Sequence, residues 1–157
     1  MMLYTASVPV LRHYLGQVSR IVERVSEADL QAQLGDAFPA GQQFGIAAGY
    51  ALRIACPLAG REVPDLPSAL APRLAIARAT LGAMRVEEFE GAEGRVILHR
   101  AGQADLEQTA SDFLFLYGMP NFFFHLTMGY AALRGAGVPL GKADFDGQHV
   151  YAEGFRF

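Results

Sequence analysis

Tyr4, Val8, Leu11, Leu15, Val18, Val22 and Val25 recur at alternating spacings of four and three. Apolar positions in that rhythm lie on one continuous stripe of an α-helix, and no strand presents them on a single side. Such a helix is stable only when its stripe is covered by other elements. Arg12, Gln17, Arg20, Glu23 and Arg24 fall largely off the stripe. The pattern predicts a helix over residues 4–28. Ser7 is placed to cap a start just before Pro9, whereas a start at Tyr4 leaves that proline slightly inside and the helix kinked.

Three further segments carry the same signal. A helix over 42–59 turns Phe44, Ala48, Ala51, Leu52 and Ala55 inward. Gly41, Gly45 and Gly49 lie four apart on one of its faces. Each glycine costs about 1 kcal/mol against alanine, so another backbone, or a ligand, is expected to approach there. A third helix, 68–85, directs Leu70, Leu74, Ala77, Leu81 and Met84 inward. Arg95–His99 and Gln103–Leu106, around an Ala101-Gly102 turn, read as a small hairpin. Glu87, Glu88 and Glu90 flank Phe89 in a loop and read as a solvated face. The fourth helix, 109–135, is the most apolar, with no charged side chain from Phe113 to Leu133. The Gly118-Met119-Pro120 step, Asn121 and His125, and the lack of a basic N-terminal flank argue against a membrane span and for the centre of a bundle. A break or kink is expected near Met119-Pro120. The segment from Lys142 to Phe157 has no period.

The expected fold is therefore all-α: four helices in one bundle, with one small β-hairpin before the last. At 157 residues, 52% hydrophobic and 18% charged, the chain 1–157 is expected to be a single domain. Thirteen basic against sixteen acidic residues leave −3, so nucleic acid is not an expected partner. A lone cysteine, Cys56, and the absence of a signal peptide indicate a cytoplasmic protein. The high apolar content, with Tyr151, Phe155 and Phe157 in the tail, suggests a homodimer.

Phosphate loops, paired-histidine zinc motifs, nucleophile elbows and paired cysteines are all missing. Histidine is the remaining lead. His13 lies opposite the buried stripe and His99 in the hairpin, opposite Leu98; nothing in the tail fixes His149. His125 interrupts Phe122-Phe123-Phe124 and Leu126, where an imidazole needs a partner or a purpose. A core histidine bonded to Asn121, a tyrosine or a facing carbonyl is one reading; a ligand or metal contact is the other. Tyr4, Ser7, Asn121, His125 and Tyr130 are the polar residues expected to converge if the first and last helices pack side by side. His125 is expected to be largely buried and hydrogen-bonded.

Met119-Pro120-Asn121-Phe122-Phe123-Phe124-His125, Tyr130-Ala131-Ala132-Leu133-Arg134 and Gly137–Phe145 resemble a bacterial domain-of-unknown-function family. The opening Tyr4-Thr5-Ala6-Ser7-Val8-Pro9-Val10 is similar to its N-terminal signature. That family is similar in fold to the DinB/YfiT-like metalloenzyme superfamily, which implies a four-helix bundle with crossover connections. In metal-bearing members one histidine comes from the second helix and two, a turn apart, from the last; some are thiol-dependent transferases. Here only His125 matches. The next turn offers Gly129, and the second helix offers Phe44, Gly45, Ala48 and Gly49.

No cofactor and no metal are therefore expected. The expected function is small-molecule binding or self-association with the superfamily's metal site degenerate. The alternative is a metal-dependent transferase or hydrolase holding zinc or nickel.

Overall fold

The computed structural model describes residues 2–153 and Phe155. The striped segment forms α1, Met2–Val22, and buries Leu3, Val8, Leu11, Leu15, Val18 and Ile21. It begins before Ser7, so the expected cap is not made. The Ser7 hydroxyl instead donates to the Leu3 carbonyl at 2.5 Å, and Pro9 lies inside the helix. The helix stops at Val22, short of residue 28, because a local alternative competes for the backbone. The Ser26 N–H and hydroxyl donate to the Asp29 carboxylate at 2.8 and 2.7 Å, opening a 3-10 turn over Asp29–Gln31.

Helix α2, Ala40–Leu58, is the hub. It packs against α1, against α3 (Leu70–Gly82) and most extensively against α5 (Met119–Gly135). Phe44, Ala48, Ala51, Leu52 and Ala55 are fully buried on it, as their spacing predicts. Its glycine face is approached by a backbone at one end, where a Cβ on Gly41 would lie 3.4 Å from the Leu30 carbonyl oxygen, and by a side chain along the rest. Arg73 of α3 lies across it, donating from Nε to the Gly45 carbonyl at 2.7 Å and from Nη1 to the Pro67 carbonyl at 3.0 Å. A Cβ on Gly49 would sit 3.1 Å from the Arg73 Nη2 atom. The missing side chains make room for a guanidinium.

Strands β1 (Val96–Ala101) and β2 (Ala104–Thr109) pair antiparallel and extend beyond the predicted hairpin. Gly102, at φ +60°, supplies the left-handed turn between Ala101 and Ala104. Before the hairpin, Glu88 is no solvated acid. It accepts from Arg61 Nη2 at 2.8 Å and from the Arg85 N–H at 2.7 Å, and the neighbouring Phe89 is fully buried.

The last long helix changes its winding. After α4 (Ala110–Asp112), capped by the Thr109 hydroxyl, residues Phe113–Gly118 form a π-helical turn that leads into α5. Pro120 supplies the reason: it has no N–H, and in α winding its ring would strike the carbonyl four residues back. A wider turn relieves that clash, and the Met119 N–H bonds the Leu114 carbonyl five residues back. Gly118 closes the turn against α2, where a Cβ would lie 2.7 Å from Ile54 Cγ1.

A short helix, α6 (Lys142–Asp146), lies where no period was legible. Gln17 donates to the Ala143 and Asp144 carbonyls at 3.3 Å, His13 Nε2 donates to the Asp146 carbonyl at 2.6 Å, and Arg24 pairs with Asp144. The described residues thus form six α-helices and one two-stranded sheet, a mostly helical chain more elaborate than the expected four helices. None of these helices is long and apolar enough to cross a membrane. In the tail, Tyr151 stacks on Phe155 at 4.3 Å, while Phe157 lies outside the described residues.

Asp146 also fixes His149, whose geometry the sequence left open. Its carboxylate accepts from the Gln148 and His149 N–H groups at 2.8 and 3.0 Å and pairs with the His149 imidazole. These donors, Gln148 first, hold the Asp146 carboxyl down at about 2. A carboxyl depressed on folding stabilises the native state above its ordinary pKa and loses that contribution on acidification. The melting-temperature difference between wild type and Asp146→Asn should therefore be full above about pH 4 and vanish towards about pH 2. A difference independent of pH would remove the carboxylate's role.

Candidate functional site

Gln43 and Tyr50 lie seven residues apart on α2 and therefore project from one face, two turns from each other. Opposite them, Tyr117, Asn121 and His125 are spaced by four along the π turn and α5. His125 Nδ1 meets Gln43 Oε1 at 2.7 Å, and its ring stacks on Tyr50, with centroids 5.5 Å apart and planes at 22°.

The Gln43 amide sets the imidazole's tautomer. Its NH2 points at the Phe38 carbonyl, 3.5 Å away, which leaves the oxygen facing His125. Nδ1 therefore carries the proton and donates it, and Nε2 keeps a lone pair. Nε2 has no hydrogen-bond partner among the described residues and is not sealed from solvent. Partial burial pushes the pKa of His125 below 6.5, so the ring is neutral near pH 7.

The hydroxyls beside it form an ordered chain. Tyr117 donates to the Arg100 carbonyl of β1 at 3.2 Å, so its single proton is committed. In the 3.3 Å contact between Tyr50 and Tyr117, Tyr50 must then be the donor. Burial first, and the bond to Tyr117 second, raise the Tyr50 pKa and keep the phenol protonated. Arg53 locks the group together: it donates to the Arg100 carbonyl at 3.1 Å and to the Tyr117 hydroxyl at 3.3 Å, and it covers the Tyr50 ring at 4.8 Å. With these donors spent inside the cluster, His125 Nε2 and the Tyr50 oxygen remain as acceptors. Phe124, 57% exposed and edge-on to His125, supplies an apolar wall.

The residues singled out from sequence divide among three places. Asn121 and His125 share a face, but Asn121 donates to the Tyr117 carbonyl at 2.7 Å and leaves His125 to Gln43. His125 is half-buried rather than largely buried. Tyr4 lies edge-on to Phe89 at 5.2 Å, and Ser7 is spent on its own helix. Tyr130 packs on Phe145 of α6, which also meets Tyr14 of α1. The five do not converge, because α1 sits chiefly against α2, α3 and α6; its contact with α5 runs through Tyr14 and Phe123 at 4.9 Å. Gln43, Tyr50, Arg53 and Tyr117 were missed. A polar Gln43 on the inner side of an otherwise apolar helix was the available signal.

One turn beyond His125, two residues of the α2–α5 seam fill each other's space. Phe44 is fully buried against Gly129, and a Cβ on that glycine would lie 2.6 Å from Phe44 Cε1. Among the described residues no three His, Cys, Asp or Glu side chains are grouped to hold a metal ion. Cys56 is fully buried, and burial pushes its thiol up to about 11.

No curated protein sequence matches the chain. Among solved structures it is similar to a DinB family member protein from Shewanella denitrificans, with a TM-score of 0.81, 26% identity, and coverage of 96% of this chain and 95% of that one. The histidine-bearing α5 and the opening of α1 both fall within residues 3–146, which match a single family profile from end to end; the chain belongs to the family described as Domain of unknown function, DUF1993.

Proposed function

We propose that this protein binds a small molecule at the α2–α5 face, on a DinB/YfiT-type four-helix framework whose metal centre has been replaced by packing. The observation that carries this reading is the oriented, neutral His125, its Nε2 lone pair open and its tautomer set by Gln43. With the Tyr50 oxygen as a second acceptor and Phe124 as a wall, the face suits a molecule bearing hydroxyl or amine donors on an apolar body. The surrounding side chains do not fit a divalent metal. The Gln43 oxygen is engaged by His125, Tyr50 offers its ring face, and Phe44 covers Gly129. A three-ligand catalytic site would need nitrogen, sulfur or carboxylate donors there. A cytoplasmic setting is supported by the single buried cysteine.

His125→Ala should abolish retention of co-purified small molecules, read by native mass spectrometry of untagged protein. It should lower stability by about 1–2 kcal/mol, for one hydrogen bond and a half-buried ring. Stoichiometric zinc or nickel in untagged protein, lost in the variant, would overturn the reading in favour of a metal-dependent transferase or hydrolase.

Self-association is a second reading with its own observation. Phe115, Leu116 and Phe124, 47%, 70% and 57% exposed, line the outward side of the π turn and α5, where no side chain is charged. Exposed apolar side chains of this kind favour a homodimer. A monomeric mass by light scattering at micromolar concentration excludes it.

A further inference from the structure

Helices α1 and α3 contain arginines and not one aspartate or glutamate, in a chain whose net charge is −3. Between them runs a groove of about 630 Å³, lined by Pro9, Arg12 and His13 from α1 and by Ala75, Arg78 and Ala79 from α3. Arg12 lines it from the α1 side and Arg78 from the α3 side. It shares no residue with the His125 face.

Among the described residues, arginine charges elsewhere are used. Arg24, Arg61, Arg85 and Arg100 pair with carboxylates. Arg20, Arg53, Arg73 and Arg95 donate to carbonyl or hydroxyl oxygens, and Arg134 covers the Tyr130 ring. Among the described residues Arg12 and Arg78 are the arginines left without a hydrogen bond or ion pair, and both line this groove. Arg12 reaches the last turn of α3, where Nη2 lies 3.9 Å from the place of a Gly82 Cβ. The negative pole of that helix end favours a cation there and orients the guanidinium. His13 is held at the groove's edge by the bond from its Nε2 to the Asp146 carbonyl.

We propose that the α1–α3 groove binds a small anionic molecule through its phosphate or carboxylate groups, clamped between Arg12 and Arg78. Two like charges facing across a groove repel until an anion bridges them, and guanidinium forks match the oxygens of both groups. No acidic side chain lines the groove, so none competes with the ligand.

The test is an amide NMR titration of the full chain with inorganic phosphate and, separately, with citrate, at ionic strength held constant with sodium chloride. Saturable shifts at Ala75 and Ala79 are expected, and the tighter of the two probes identifies the preferred group. Arg12→Gln and Arg78→Gln should each weaken binding about tenfold. Without ligand, Arg78→Gln should melt no lower than wild type, because a repulsion has been removed; a merely structural arginine at that position would lower the melting temperature. Shifts no larger than those from chloride alone, or saturation that survives in the double variant, would overturn the proposal.

Discussion

Phe44→Ala should lower the unfolding free energy by about 3–5 kcal/mol in a urea titration. The ring is fully buried at the centre of the α2–α5 contact, the most extensive pairing of long elements in the fold. Its removal forfeits the transfer energy of the side chain and leaves a cavity whose facing residue, Gly129, has nothing to extend into it. Phe44→Leu should cost much less, about 1.5 kcal/mol or below, if volume is what the position needs. A loss below about 1 kcal/mol for the alanine variant would mean that the seam relaxes freely.

Gly129→Ala is the reciprocal expectation, with a loss of about 1–3 kcal/mol from overpacking. The added Cβ would fall 2.6 and 2.8 Å from Phe44 Cε1 and Cδ1, and a ring held on all sides cannot swing away as a flexible side chain would. In the double variant Phe44→Ala, Gly129→Ala the new methyl group enters the space the ring vacated. The two losses should then be less than additive, with a coupling of about 0.5–3 kcal/mol. Strict additivity would show that the two positions are independent. Gly129→His alone should destabilise at least as much as Gly129→Ala and gain no metal affinity, because Phe44 stands where a third ligand would have to come from.

Elements whose inner faces repeat over several turns were legible in the sequence. Leu11, Leu15 and Val18, or Phe44, Ala48 and Leu52, announce both a helix and its buried side. What escaped was set by single interactions. Ser26 and Asp29 end α1 through side-chain bonds that no periodicity registers. Helix α6 has five residues, too few to show a period, and is held by Gln17 and His13 from more than a hundred residues away. The site followed the same rule. His125 stood out as the one imidazole in an apolar run, yet its partner depends on which helix lies opposite. Placing α5 against α2 rather than α1 exchanges Tyr4 and Ser7 for Gln43 and Tyr50.

The π turn at Phe113–Gly118 makes the last helix intolerant of changes in length. Removing one residue there would shift everything downstream by about 100° of rotation and 1.5 Å of rise. Phe122, Leu126 and Gly129 would leave α2, His125 would lose Gln43, and the uncharged outer face would swing into the bundle. Substitutions along the exposed rim of this segment fit the fold, but an insertion or deletion does not. Related chains that differ by one residue between Phe113 and Gly118 must either carry a compensating change before Gly135 or bind at a different face.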